Sequence, residues 1–92
     1  MAELLRVKCT GGLLIITDTT LIIELRKPKW LGGGLLNKQE LFRAQITGTD
    51  THVHTTNGFV DFTFTSAGKE LHANLVRPKD AAKVQEVLAE AI

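Results

Sequence analysis

The feature that most constrains this fold is the contrast between the end of the chain and everything before it. From Glu3 to Arg77 the sequence reads as a series of short strand-like runs, and from Pro78 to Ile92 as one amphipathic helix. Pro78 suits a first helical position, where its missing N–H would be unpaired in any case. Asp80 falls in the first turn, where a negative charge meets the positive end of the helix dipole. Ala81, Val84, Val87, Leu88 and Ala91 recur at the three- and four-residue spacing of one buried stripe, with Lys79, Lys83, Glu86 and Glu90 off it. Arg77 is a poor N-cap, so a start a residue or two from Pro78 is equally compatible with the sequence. A helix this short is marginal alone in water and requires a surface to pack on.

The preceding runs supply that surface. Glu3 to Cys9 alternates, with Leu5, Val7 and Cys9 on one face, and Gly11-Gly12 marks a turn. Leu13 to Thr17 is an apolar strand, Asp18-Thr19 a tight turn, and Thr20 to Arg26 a strand with Leu21, Ile23 and Leu25 inward. A Pro- and Gly-marked loop follows, then a strand from Leu35 to Phe42 and a one-turn connector at Arg43-Ala44-Gln45. Ile46 to Thr56 is long for a strand, and Gly48 within it predicts a bulge or bend. Asn57-Gly58 predicts a two-residue type I′ hairpin turn. Phe59 to Thr65 places Val60, Phe62 and Phe64 in the core; Ser66 to Lys69 turns the chain; Glu70 to Arg77 points Leu71, Ala73 and Leu75 inward. The expectation is a mainly β fold: seven antiparallel strands in a strongly bent sheet or β-barrel, capped by one C-terminal α-helix, in a single domain over 1–92 with strands about 3–77 and the helix about 78–91. An immunoglobulin-like sandwich needs no such helix, and an OB-fold has five strands.

Composition excludes several classes. The chain has 92 residues, 43% of them hydrophobic, which suits one globular domain. No apolar run reaches membrane-spanning length, and the start, Met1 to Arg6, has no signal-peptide core. The single Cys9 cannot form an internal disulfide and reads as a small buried hydrophobe. A cytoplasmic location is expected, with association at a membrane surface as the variant reading. Net charge is +1, but Arg26 to Arg43 holds five bases and one acid, leaving the remainder weakly acidic.

Three segments resemble the bacterial pleckstrin-homology-like domains, relatives of the GRAM type. Gly12-Leu13-Leu14-Ile15-Ile16-Thr17-Asp18-Thr19-Thr20-Leu21-Ile22 is similar to that family's glycine, apolar strand, Thr-Asp turn, apolar strand opening. Leu41-Phe42-Arg43-Ala44-Gln45-Ile46-Thr47-Gly48 resembles its later strand end and turn, and Leu75 to Ile92 its closing strand, Pro-Lys-Asp and helix. The resemblance spans nearly the whole chain and implies a barrel plugged by the helix. Two departures bear on function. The phosphoinositide-binding members carry bases across the first two strands and their loop, whereas here Thr10-Gly11-Gly12 has only Lys8 nearby. The helix also lacks the tryptophan of the eukaryotic members; Trp30 stands in a loop instead.

The segment Arg26 to Lys38 is the candidate binding surface: Arg26, Lys27, Lys29, Trp30, Leu31 and Lys38, with Arg43 beyond it. Tryptophan beside bases suits a protein-interface anchor or an anionic lipid surface; alternatively the loop folds Trp30 and Leu31 back over the barrel edge. His52 and His54 leave one face of a strand, with Val53 facing the core, and His72 would be a third ligand if its strand lies near. Zinc requires three or four ligands and no Cys or carboxylate cluster accompanies these, so no metal and no cofactor are expected. Gly32-Gly33-Gly34 lacks the residues of a phosphate cradle, and no catalytic motif is present. Few aromatics and a short basic segment argue against nucleic acid, and no small-molecule substrate is evident. Outward apolar residues expected at Leu14, Ile16, Ile22, Phe59 and Val76 suggest self-association. The function expected is a non-catalytic interaction or assembly module that binds protein partners or itself. The alternative is a peripheral module for anionic membranes using the Trp30 loop.

Overall fold

The computed structural model describes residues 3–27 and 29–89. Among the described residues, seven antiparallel strands form two sheets, followed by one helix. The first sheet holds β1 (Glu3–Cys9), β2 (Gly12–Thr17), β3 (Thr20–Arg26) and β4 (Leu35–Phe42), in that order. The second holds β5 (Gly48–Val53), β6 (Val60–Ser66) and β7 (Lys69–Val76), and α1 spans Pro78–Ala89. Short 3-10 turns occupy Lys29–Leu31 and Arg43–Gln45. The expected bent sheet or barrel is thus two sheets, joined where the Thr10 N–H donates to Asn74 O at 2.8 Å.

The core lies between the sheets and under the helix. Val7, Leu14, Ile16, Leu21, Ile23 and Leu41 come from the first sheet, Val60, Phe62, Phe64, Leu71, Ala73 and Val76 from the second, and Ala81 and Val84 from α1. Leu5, Cys9, Val87 and Leu88 are partly buried against it. Burial raises the Cys9 thiol pKa, as expected for a packing residue. The helical positions expected at Glu90, Ala91 and Ile92 lie outside the described residues.

Several expected orientations are reversed. Leu14 and Ile16 face the core rather than solvent, and Ile15 instead lies on the other face, paired with Ile22 and buried beside it. A run of four apolar residues, Leu13 to Ile16, contains no alternation from which to choose a face. On β7, Leu75 is exposed and Val76 buried. The register shifts between Val60 and Phe62, and Leu75 takes a φ of 55°, so the last residues change faces. Phe59 is half-buried rather than outward. Val53 is exposed because β5 is a sheet edge whose side chains escape the core.

Two turns also differ. β5 ends at Val53, with Gly48 its first residue rather than a bulge within it. The Asn57-Gly58 connection is a longer loop: His54 N–H donates to Phe59 O, Gly58 N–H to His54 O, and the Asn57 side chain accepts the Phe59 N–H at 2.9 Å. Only Gly58 there has positive φ. The two-residue turn with both central residues left-handed is Ala67-Gly68, with φ of 49° and 80°, between the paired Ser66 and Lys69.

Candidate functional site

The β3–β4 hairpin extends from one end of the first sheet. At its base the Lys27 N–H donates to Gly34 O at 2.9 Å, and the Arg26 N–H donates to Gly11 O at 2.7 Å, tying it to the β1–β2 turn. Gly32, Gly33 and Gly34 all have φ between 67° and 99°, a left-handed run that side-chain-bearing residues avoid. This backbone holds Trp30 out: it is 82% exposed, Leu31 is 55% exposed and Leu36 is 62% exposed, with Leu35 also exposed. The loop does not fold Trp30 back over the sheet.

The predicted bases separate into two groups. Lys27 and Lys38 are exposed on the hairpin. Arg26 is held by Glu24 at 2.8 Å. The Lys29 side chain lies outside the described residues. Arg43 is at the other end of the sheet and is structural: its guanidinium donates to Thr17 O at 2.9 Å and to Val87 O at 3.2 Å. It thereby joins the β2–β3 turn to α1 at Val87. The turn it reaches is itself fixed by Thr17, whose hydroxyl accepts the Thr20 N–H at 2.8 Å and lies 2.7 Å from the Thr20 hydroxyl.

The three histidines do not form one group. His52 and His54 meet edge to face at 5.2 Å between ring centres. His54 Nε2 lies 2.9 Å from Asp61 Oδ2, and His72 Nδ1 lies 3.1 Å from the Thr63 hydroxyl. Among the described residues no three His, Cys, Asp or Glu side chains are grouped to hold a metal. Asp61 also accepts the Leu75 N–H at 2.8 Å, and that bond, with the His54 contact, holds its carboxyl below the usual pKa.

The strand expected over Leu35 to Phe42 is present as β4, but its exposure was not expected. Leu41 is its one buried side chain; the rest are exposed, including Phe42. β4 is also the terminal strand of its sheet. A hollow of about 190 Å³ lined by Arg43, Ile46, Thr49 and Leu88 lies beside its end, smaller than the usual ligand pocket of roughly 300–1,000 Å³. No helix among the described residues is long and apolar enough to cross a membrane. Compared with known protein families, characterised proteins and solved structures, the chain has no significant match.

Proposed function

We propose that this chain is a non-catalytic interaction and assembly module of the pleckstrin-homology-like type, and that the β3–β4 hairpin is its contact surface. Seven antiparallel strands followed by one closing helix are compatible with this reading, although the strands form two sheets where the resemblance implies a barrel. The observation that carries the function is Trp30, 82% exposed at the tip of a loop closed by a backbone hydrogen bond. Tryptophan offers a large apolar area with little side-chain entropy to lose, which is why it anchors protein contacts. Leu31, Leu35 and Leu36 of the same hairpin are also exposed. A second reading, contact with an anionic membrane, is favoured by the exposed Lys27 and Lys38 of the hairpin.

One experiment separates these readings. Leu31 is replaced by a photo-reactive benzoylphenylalanine, and the protein is irradiated in the cell that makes it. A discrete adduct, identified by mass as a second copy or another protein and weakened by Trp30→Ser, supports the interaction module. Adducts to lipid alone move the assignment to the membrane surface. Absence of any adduct refutes the hairpin as a contact surface.

A further inference from the structure

We infer that the partner is a second copy of this chain, joined edge to edge through β4 about a two-fold axis at Gln39; the inference rests on the hairpin reading and gives it an occupant. The open edge has a defined phase. Arg43 donates its backbone N–H to Thr19 O at 2.8 Å, extending the register in which Thr20 faces Phe42 and Leu21 faces Leu41. Hydrogen-bonded pairs alternate in an antiparallel ladder. Leu41, Gln39 and Asn37 therefore bond toward β3, while Phe42, Glu40 and Lys38 turn their N–H and C=O groups to the open edge. These same three residues project their side chains away from the core, opposite in parity to buried Leu41.

A second β4 can use those groups only in registers that set outward-bonding residues against one another. Placed antiparallel about Gln39, Lys38 of each copy faces Glu40 of the other. Four backbone hydrogen bonds form at these two pairs, and each pair carries opposite charges directly across the ladder. Phe42 of each copy then faces the exposed Leu35–Leu36 bulge of the other, where the β3–β4 register shifts. The neighbouring allowed registers, shifted by two residues either way, set Lys38 against Lys38 or Glu40 against Glu40. Charge and apolar complementarity thus select one register, and a two-fold pair of this kind is self-complementary by construction. The same placement carries each hairpin tip toward the other copy's Arg43–Ile46 corner and its hollow. One strand and one hairpin tip make a small interface, so the dimer is concentration-dependent.

Sedimentation equilibrium over a wide range of protein concentration tests this. Lys38→Glu and Glu40→Lys change exposed side chains, and unchanged melting temperatures confirm that both variants fold. Each reversal alone weakens dimerisation roughly tenfold or more, because both symmetric pairs become repulsive. An equimolar mixture of the two variants regains the wild-type affinity, since every pair across the mixed interface is again opposite in sign; the double variant regains it as a homodimer. A wild-type dimer indifferent to either reversal overturns the register. A chain monomeric at the highest soluble concentration overturns β4 pairing. In both cases the adduct formed at position 31 separately decides whether the hairpin remains a contact surface.

Discussion

Gly12→Ala and Gly48→Ala are the same chemical change with opposite expected consequences. Gly12 opens β2 and sits between Cys9 of β1 and Leu25 of β3. A Cβ there would overlap the Glu24 carbonyl oxygen and lie 2.8 Å from its carbonyl carbon and 3.0 Å from Leu25 Cα. All three are backbone atoms in a paired strand, so no side chain can swing aside. β2 and β3 must spread at this end, loosening the Gly12–Leu25 pairing and the Arg26 N–H to Gly11 O bond beside it. Two weakened hydrogen bonds at about 1 kcal/mol each, with strain transmitted to a close-packed core, give a loss of about 3 kcal/mol. A chain of this size has about 5–14 kcal/mol in total. The melting temperature should fall by roughly 12–24 °C, at about 4–8 °C per kcal/mol. Gly48 has an ordinary φ, and the nearest atom to its added Cβ is Thr65 Cβ at 4.0 Å. Alanine there restricts the unfolded chain without a clash and should add about 0.4–1 kcal/mol. Urea unfolding followed by circular dichroism reads both. A loss below about 1 kcal/mol for Gly12→Ala, or a comparable loss at Gly48, would refute the close-approach argument.

Three further outcomes are expected. Ala67→Asn should stabilise by about 0.5–1 kcal/mol in thermal melts, because Ala67 bears the cost of a left-handed φ that Asn before Gly tolerates. Arg43→Met should cost about 2 kcal/mol by leaving the Thr17 and Val87 carbonyls without a charged donor, with faster amide exchange in the last turn of α1. Asp61, lowered in pKa by the Leu75 N–H and His54, contributes stability that is present above its unfolded value of about 4 and lost as pH falls through the folded value. Asp61→Asn keeps an oxygen for the Leu75 N–H, so its deficit in urea midpoint should be present at neutral pH and vanish in acid. A deficit independent of pH would show that the charge is not what matters.

Where polar and apolar residues strictly alternate, the sequence is enough: Val60, Phe62 and Phe64 occupy the core as their spacing predicts. Leu71 and Ala73 do too, but parity fails at Leu75 because Asp61 captures the Leu75 N–H and the strand bulges. That capture joins residues fourteen apart, a contact no local pattern records. The turns show the same limit. Asn57-Gly58 has the preferred residues, yet the Asn57 side chain takes the Phe59 N–H and a longer loop forms. Ala67-Gly68 lacks the preferred first residue, yet strand pairing on both sides imposes the left-handed pair. Tertiary pairing overrides turn propensity in both places.

The basic segment was legible as composition but not as geometry. Charge counting grouped Arg26 and Arg43 with Lys27 and Lys38, whereas Glu24 engages the first and two backbone carbonyls the second. The hairpin leaves Lys27 and Lys38 available beside Trp30 and the exposed leucines, and the charges that matter on β4 are Lys38 and Glu40 in alternation. Edge charges ordinarily protect a strand from pairing with another chain. Here their signs alternate along one face, so protection depends on register. Parallel in-register stacking, the route to extended aggregates, would set Lys38 on Lys38 and Glu40 on Glu40 in every layer. The proposed antiparallel pair about Gln39 would remove both conflicts and consume both β4 edges, so that assembly through this strand would end at two copies. The same two side chains that oppose indefinite growth therefore favour the one closed pairing.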